Sequence, residues 1–588
     1  MICHTRRLLM ILSWQNGLIS RWHGNLLMKR KLFMDSCLSK KKGVFFLIII
    51  LLGLFLSGLR VGHAAANDKA FLHPGMLYTQ ADLERMKAGV NNKQEPWYTD
   101  WQLLQSHYLA SSTYSVTPKA VVYRNDPTNG NTGNGELQNS ASAALSLAIE
   151  WAMTKNPAYA NAAIKILNGW STTLTAIKGN DAQLAASLYG YKLLNAAEIL
   201  RYTGSGWSSA DIAQFSKMMT NVFYPLTITY GQVNGGWANG NWDAADTVFN
   251  LSLGVWLNDS EIYNNAVTYF KQGEGNGSVI HYVQNDNGQL QESGRDQAHA
   301  QGGLGLLVMS AQIGYNQRQY HTSGADMVSY PNNSYPLVKA AEYTAKYNLG
   351  YTVPYTPIPG KGYTLADMGK GRSWIPGLTI SSAFRGEFRP IYRGIFSLFT
   401  AAGVPETKLP YTKDVISRMP IGKFYFDHPS YEGLINATGA STSRPMSIVL
   451  QSVSKYRNQD NTGTLATVTG ESTPIIVNGV NPSVNSGIQA TYLNKNKFAF
   501  RSIQTGKYIS ATADGRLVAS ADNITDSESF IYTDSGNGNG TLLAVSNKRF
   551  LIMDPDTYQI SATGTGVSND NGRWVMLYPD PTALGVVK

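Results

Sequence analysis

From about residue 80 to residue 350 the chain alternates apolar and polar positions with a helical period. The stretches "NSASAALSLAIEWAMT", "YANAAIKILNGWSTTL", "DAQLAASLYGYKLLNAAEILRYT", "WDAADTVFNLSLGVWLND", "GGLGLLVMSAQIGYN" and "YPLVKAAEYTAKYNLG" all carry it. Short connectors with Gly, Asn or Pro, such as "KNPA" and "GSGWSSA", join them. Short links favour antiparallel neighbours, so the predicted unit is a helical hairpin. A long run of such hairpins predicts a solenoid or a closed α/α toroid.

After about Gly439 the period is lost. "TGTLATVTGESTPIIVNGVNPSVNSGI" is rich in Thr, Gly, Ser, Asn and Pro and reads as irregular structure or a linker. From about Phe498 short β-segments follow, and they repeat. Tyr508 answers to Phe550 at a step of 42, and Phe530 to Trp574 at a step of 44. The lobes resemble those of a β-trefoil of the fascin or ricin-type lectin kind. Two lobes are visible, and 456–497 does not show the pattern of a third. The expected division is 1–66 signal region, 67–440 helical toroid, 441–492 linker or irregular segment, and 493–588 a β-trefoil-like carbohydrate-binding module. The last is expected to fold independently and to be dispensable for chemistry.

Charge changes the picture little. The net +10 of the 588 residues arises in 1–66, which hold ten Lys/Arg and one acid; without them the balance is +1. No basic field for nucleic acid remains. The basic "SKKK", the apolar run Val44–Leu59 and Ala64-Ala65-Ala66 read as a secretory signal cleaved after Ala66. Met28 and Met34 are alternative starts. The mature chain is expected to be secreted or periplasmic, without stable membrane association, and monomeric. Both cysteines, Cys3 and Cys37, lie in the removed part, and no metal or other cofactor is expected.

Four clusters could carry chemistry. In "QESGRDQAHAQ", Ser293 and Asp296 form an S-x-x-D helix start. It would set Arg295 and His299 one turn apart on one helix face, with Gln297 and Gln301 as a second pair. Donors beside a helix N-terminus suit a carboxylate or a sulfate on a ligand. "NGGWANGNWDAAD" supplies Asn234, Asn239 and Asn241 for hydrogen bonds, and Trp237 and Trp242 to stack on sugar rings. "EYTAKYNLG" offers Tyr343 and Tyr347 for proton transfer. "RGEFRPIY" and "DHPSYEG" add Arg385, Arg389, Tyr392, Asp427, His428 and Tyr431. Each cluster alone also suits a packing role: a core histidine beside an Arg295 paired to Glu292 or Asp296, capping asparagines, core aromatics, and surface ion pairs. In a toroid, however, these helix starts and ends would converge on one rim.

The order HPG, NW, ESGRDQ-H-Q, EYTAKYNLG, RG-FRP and DHP over His73–Gly439 resembles the alginate lyase-like polysaccharide lyases. It is most similar to polysaccharide lyase family 38, the glucuronan and alginate type. The resemblance implies an (α/α) toroid and metal-independent β-elimination on an acidic polysaccharide. It also implies an Asn, a His, a Tyr and an Arg in the cleft. These fall on Asn241, His299, Tyr343 or Tyr347, and Arg295 or Arg385; Asn239, Trp242, Gln297, Arg385 and Arg389 would line the substrate path. Ile391-Tyr392-Arg393 departs from the pattern, which has an aromatic followed by an acid. Two rival functions remain. One is a glycoside hydrolase, which needs two carboxyls from among Glu292, Asp243 and Asp296. The other is a non-catalytic polysaccharide-binding protein.

Overall fold

The computed structural model describes residues 70–588, except 234, 420, 442–444, 459–462 and 587–588. The signal region with its two cysteines, and Asn234, therefore lie outside the described residues. The helical part comprises α1 (Gln80–Asn91), α2 (Trp97–Ser106), α3 (Asn134–Thr154), α4 (Pro157–Thr173), α5 (Ala182–Tyr202), α6 (Ser209–Met218) and α7 (Asn241–Leu257). It continues with α8 (Ser260–Gln272), α9 (Gln297–Gln317), α10 (Pro336–Asn348), α11 (Tyr392–Ala401), α12 (Pro410–Arg418) and the single turn α13 (Glu432–Ile435).

Helices α3, α5, α7 and α9 are buried on nearly every side. That is why their apolar residues surround the axis instead of forming a stripe. Each packs on the next, and the path runs on through α11, α13 and α1 back to α3. Amphipathic α4, α8, α10 and α12 pack outside it. Close contact needs small residues. A Cβ on Gly303 would lie 2.0 Å from the Tyr282 hydroxyl, and one on Gly240 would lie 2.4 Å from the Asn276 carbonyl oxygen. Gly240 immediately precedes α7, so the tight approach fixes where Asn241 emerges.

Four short strands accompany the helices. β1 (Val121–Tyr123) pairs in parallel with β2 (Ala176–Lys178), and β3 (Gln232–Val233) with β4 (Gly236–Trp237) forms the hairpin before α7.

The remaining strands are β5 (Met446–Ser452), β6 (Leu465–Thr467), β7 (Ile476–Gly479), β8 (Ile488–Asn494), β9 (Lys497–Ser502) and β10 (Tyr508–Ala511). Then come β11 (Leu517–Ala521), β12 (Ser529–Asp534), β13 (Gly540–Ala544), β14 (Phe550–Met553), β15 (Ile560–Gly564) and β16 (Trp574–Leu577). Six of them close a barrel-like circuit, β5–β8–β9–β12–β13–β16–β5. Hairpins β6/β7, β10/β11 and β14/β15 gather at one end. They bond to one another there: Ile475 N–H donates to Leu517 O at 3.3 Å and Ile560 N–H to Ile475 O at 2.9 Å.

Two expectations are corrected. Residues 441–492 are not a linker, because β5–β8 lie there and complete the sheet. The β part therefore starts near Met446 rather than at 493. The missing lobe is β5–β8, where Ile488 occupies the place of Phe530 and Trp574. Its aliphatic core residues lack the aromatic signature of the other two. Nor does the β part stand alone. One contiguous apolar core runs from Phe71 through the helices to Tyr578, and Tyr492 donates a hydrogen bond to Gln102 Oε1 at 3.1 Å.

Candidate active site

The starts of α5, α7 and α9 lie side by side. The Gln183 amide donates to Asp246, and Asn241 at the first position of α7 meets the loop before α9. Glu292 organises that meeting. Its buried carboxylate accepts from Asn241 N–H at 3.1 Å, Asn241 Nδ2 at 2.7 Å, the Tyr282 hydroxyl at 3.1 Å and Arg295 Nη1 at 2.7 Å. These donors satisfy the buried carboxyl oxygens, and through them Glu292 holds Asn241 and Arg295 together.

Helix α9 starts three residues later than the S-x-x-D motif suggests. Asp296 itself is the cap, accepting from His299 N–H at 2.7 Å, while Ser293 accepts from Leu290 N–H. Arg295 therefore precedes the helix and does not share a helix face with His299. The second Asp296 oxygen lies 2.6 Å from His299 Nδ1. A carboxylate can only accept, so Nδ1 carries the proton of this contact and Nε2 is the ring nitrogen left to face a substrate. Burial acts to raise the Asp296 carboxyl, but the His299 hydrogen bonds and the His299 and Arg295 charges hold it below its ordinary range. The His299 side chain is 40% exposed, whereas that of Arg295 is 15% exposed. Arg295 Nε is buried and lacks a hydrogen-bond partner among the described residues. Such a donor is costly unless a ligand or water meets it.

A polar chain extends the cluster. Gln291 accepts from Gly240 N–H at 3.0 Å and donates to Asn239 Oδ1 at 2.9 Å and to the Tyr363 hydroxyl at 2.6 Å. Asn239 in turn donates to the Trp374 carbonyl. The Trp374 indole is 48% exposed, a flat surface beside the cluster on which a sugar ring could stack. Tyr363 and Trp374 escaped the sequence reading because they sit in the aperiodic segment between α10 and α11. Their only signal was an aromatic in a Gly/Pro-rich loop.

Other candidates are placed differently. Gln297 is buried, with its amide spent on Ser293 O, Ser381 O and Asn348 Nδ2, so it braces the loops and does not face a ligand. Gln301 and Tyr392 bond to each other in the interior. Tyr343 donates to Pro354 O at 2.8 Å, and Tyr347 packs with it against Val353. Arg385 lies over the Tyr347 ring at 4.0 Å and donates to the Tyr347 and Tyr351 carbonyls. Trp242 is half-buried against the core, and Lys361 covers the Trp237 ring at 4.0 Å. Arg389 pairs with Asp427 at 2.8 Å over the Tyr425 ring. Burial would raise Asp427, but Arg389 overcomes it and sets the carboxyl at about 2. His428 is fully buried, pushed down to about 3 by burial, and bonded to Gly302 O. Tyr431 is core. Nearby Glu387 is pushed up to about 7 by burial.

Residues 88–351 match the model of the alginate lyase family. With that domain the protein is a polysaccharide lyase, and its substrate is a polysaccharide. The match spans the helical part from α1 to just past α10 and includes Asn241, Arg295 and His299. Among solved structures, a designed three-fold symmetric protein, ThreeFoil, matches 22% of this chain and 97% of its own, at 15% identity and a TM-score of 0.20. No curated protein matches the chain.

Proposed function

We propose that the lyase is secreted and cleaves a 1,4-linked polyuronate, of glucuronan or alginate type, by metal-independent β-elimination. The observation that carries this reading is the Asn241–Glu292–Arg295–Asp296–His299 cluster. Asn241 and Arg295 present N–H donors to the substrate carboxylate and stabilise charge as C5 loses its proton. His299 Nε2 takes that proton, with Asp296 fixing the ring. The electron pair of the C5–H bond forms the C4–C5 double bond, and the C4–O4 bond breaks. O4 leaves with a proton from a phenol. Tyr363 is the phenol tied into the Asn239–Gln291 chain, whereas Tyr343 and Tyr347 stand in a separate apolar cluster.

A hydrolase would need two available carboxyls. Glu292 and Asp243 are buried and already bonded, and Asp296 caps α9, which favours elimination. The circuit of helices suits an (α/α) toroid, and the three hairpins on a six-stranded barrel suit a β-trefoil-type module that holds polysaccharide. A panel of glucuronan, alginate and glycosaminoglycans, assayed for ultraviolet absorbance of unsaturated uronate, tests the reading. One polyuronate should give a strong signal that a chelator leaves intact. Absence of absorbance on every member, or a chelator-induced loss restored by Ca²⁺, would overturn it.

A further inference from the structure

A cavity of about 200 Å³ lies between α2, residues 421–431 and the barrel end opposite the three hairpins. None of the cluster residues around His299 lines it. We infer that this cavity is a second binding site, which takes a single pyranose ring.

Its walls are aromatic. The Phe424 ring stacks on His107 with centroids 4.0 Å apart, Tyr532 and Tyr578 face it from the barrel, and Tyr108 stands at its edge, 56% exposed. Polar groups are set among these rings without partners. Lys423 makes no ion pair or side-chain hydrogen bond among the described residues, and its ammonium lies over the Tyr578 ring at 4.8 Å. The Tyr532 and Tyr578 hydroxyls likewise have no partner among the described residues. His107 Nδ1 accepts from Leu109 N–H, so Nε2 carries the proton, and Nε2 is buried without an acceptor among the described residues. Among the described residues Asp534 accepts one bond, from Gly536 N–H. Burial lowers Lys423 and raises Asp534, as expected for ionisable groups left dry and unpaired.

The chemistry narrows the occupant. A wholly apolar ligand would leave Lys423, Asp534 and His107 unsatisfied, at a cost for each. A bare anion fits poorly, because the one ammonium lies in the field of Asp534, Glu387 and Glu432. A sugar ring offers apolar C–H faces to the tyrosines and hydroxyls that both donate and accept. The volume is below the roughly 300–1,000 Å³ of sites for drug-sized ligands, which suits one ring and not an oligomer. That ring could end the substrate polysaccharide or belong to a neutral glycan. The surrounding carboxyls favour the neutral source.

The test is ligand-observed NMR and calorimetry on the folded protein, with D-glucose, D-mannose, D-galactose and the matching uronic acids. A neutral pyranose should bind in the millimolar range and more tightly than its uronic acid. Tyr108→Ala, at an exposed edge position, should weaken binding roughly three- to tenfold by removing one aromatic contact. Tyr578→Phe should weaken it as well. His299→Ala should leave it unchanged, which separates this site from the lyase cluster and from any failure of the elimination reading. Absence of binding by every pyranose, indifference to both tyrosine changes, or tighter binding of the uronic acids would overturn the inference.

Discussion

The rim around His299 and the barrel solve opposite problems with opposite materials. The barrel repeats one solution three times: Ile488, Phe530 and Trp574 fill equivalent places, and Ile475, Leu517 and Ile560 bring the hairpins together. Its specification is apolar volume, so one aliphatic can replace an aromatic without changing the topology. The rim repeats nothing. Asn241, Glu292, Arg295, Asp296 and His299 each have a different task, and most of their hydrogen-bonding groups are spoken for. Apolar packing tolerates exchange, whereas a polar network does not, because each lost partner leaves another group unpaired.

The largest expected effect comes from cutting the barrel. A chain ending near Gly487 would leave β5–β7 without β8, β9 and β16, and uncover Phe424 and Tyr431 of the helical part. It should be insoluble, as read from soluble yield. A soluble, active fragment would show that the barrel is a separable module after all. Next comes His299→Ala, expected to cost about 10²–10⁴-fold in kcat as a proton-transfer group is lost. The melting temperature should hardly move, because the side chain is 40% exposed.

Asp296→Ala should act on both stability and catalysis. Loss of the α9 cap costs about 1 kcal/mol, and the released imidazole lowers kcat more than it raises KM. A barrel change such as Ile488→Val should cost stability only, in the range of about 0.5–1.5 kcal/mol. If Ile488→Val altered kcat as strongly as Asp296→Ala, the contrast between the two regions would fail.

The smallest effect is on pH dependence. Burial raises Asp100 to about 6 and both Asp243 and Glu432 to about 7. Between the unfolded carboxyl range and these values the folded state holds protons that the unfolded state has released. Stability therefore falls as pH rises through that window. The melting temperature should be higher near pH 5 than near pH 8, and a rise over that interval would contradict these burials.

Much of this was legible in the sequence. The helical period of α3, α5, α7 and α9 located the buried layer, because Ala, Leu and Gly repeat at contact positions. The step of 42 to 44 residues gave two lobes of the barrel. The third is hidden because Ile488 and Leu465 are aliphatic where the other two lobes carry rings, and because Thr, Gly and Asn in tight hairpins look like a linker. Residue types singled out His299, Arg295 and Asn241, which the fold brings into one cluster. What could not be read was who holds whom. Glu292 was weighed as a hydrolase acid, yet it is the buried anchor of Asn241 and Arg295. Tyr363 and Trp374 reach the cluster only through long-range loop packing, which no local spacing encodes.

The most direct test is the ratio of unsaturated ends to new reducing ends, measured on the best polyuronate with the native protein and with His299→Ala. The account requires one unsaturated end per bond cleaved by the native protein, and loss of both signals together in His299→Ala. Reducing ends without ultraviolet absorbance, or cleavage undiminished in His299→Ala, would contradict the claim that this rim carries out a β-elimination.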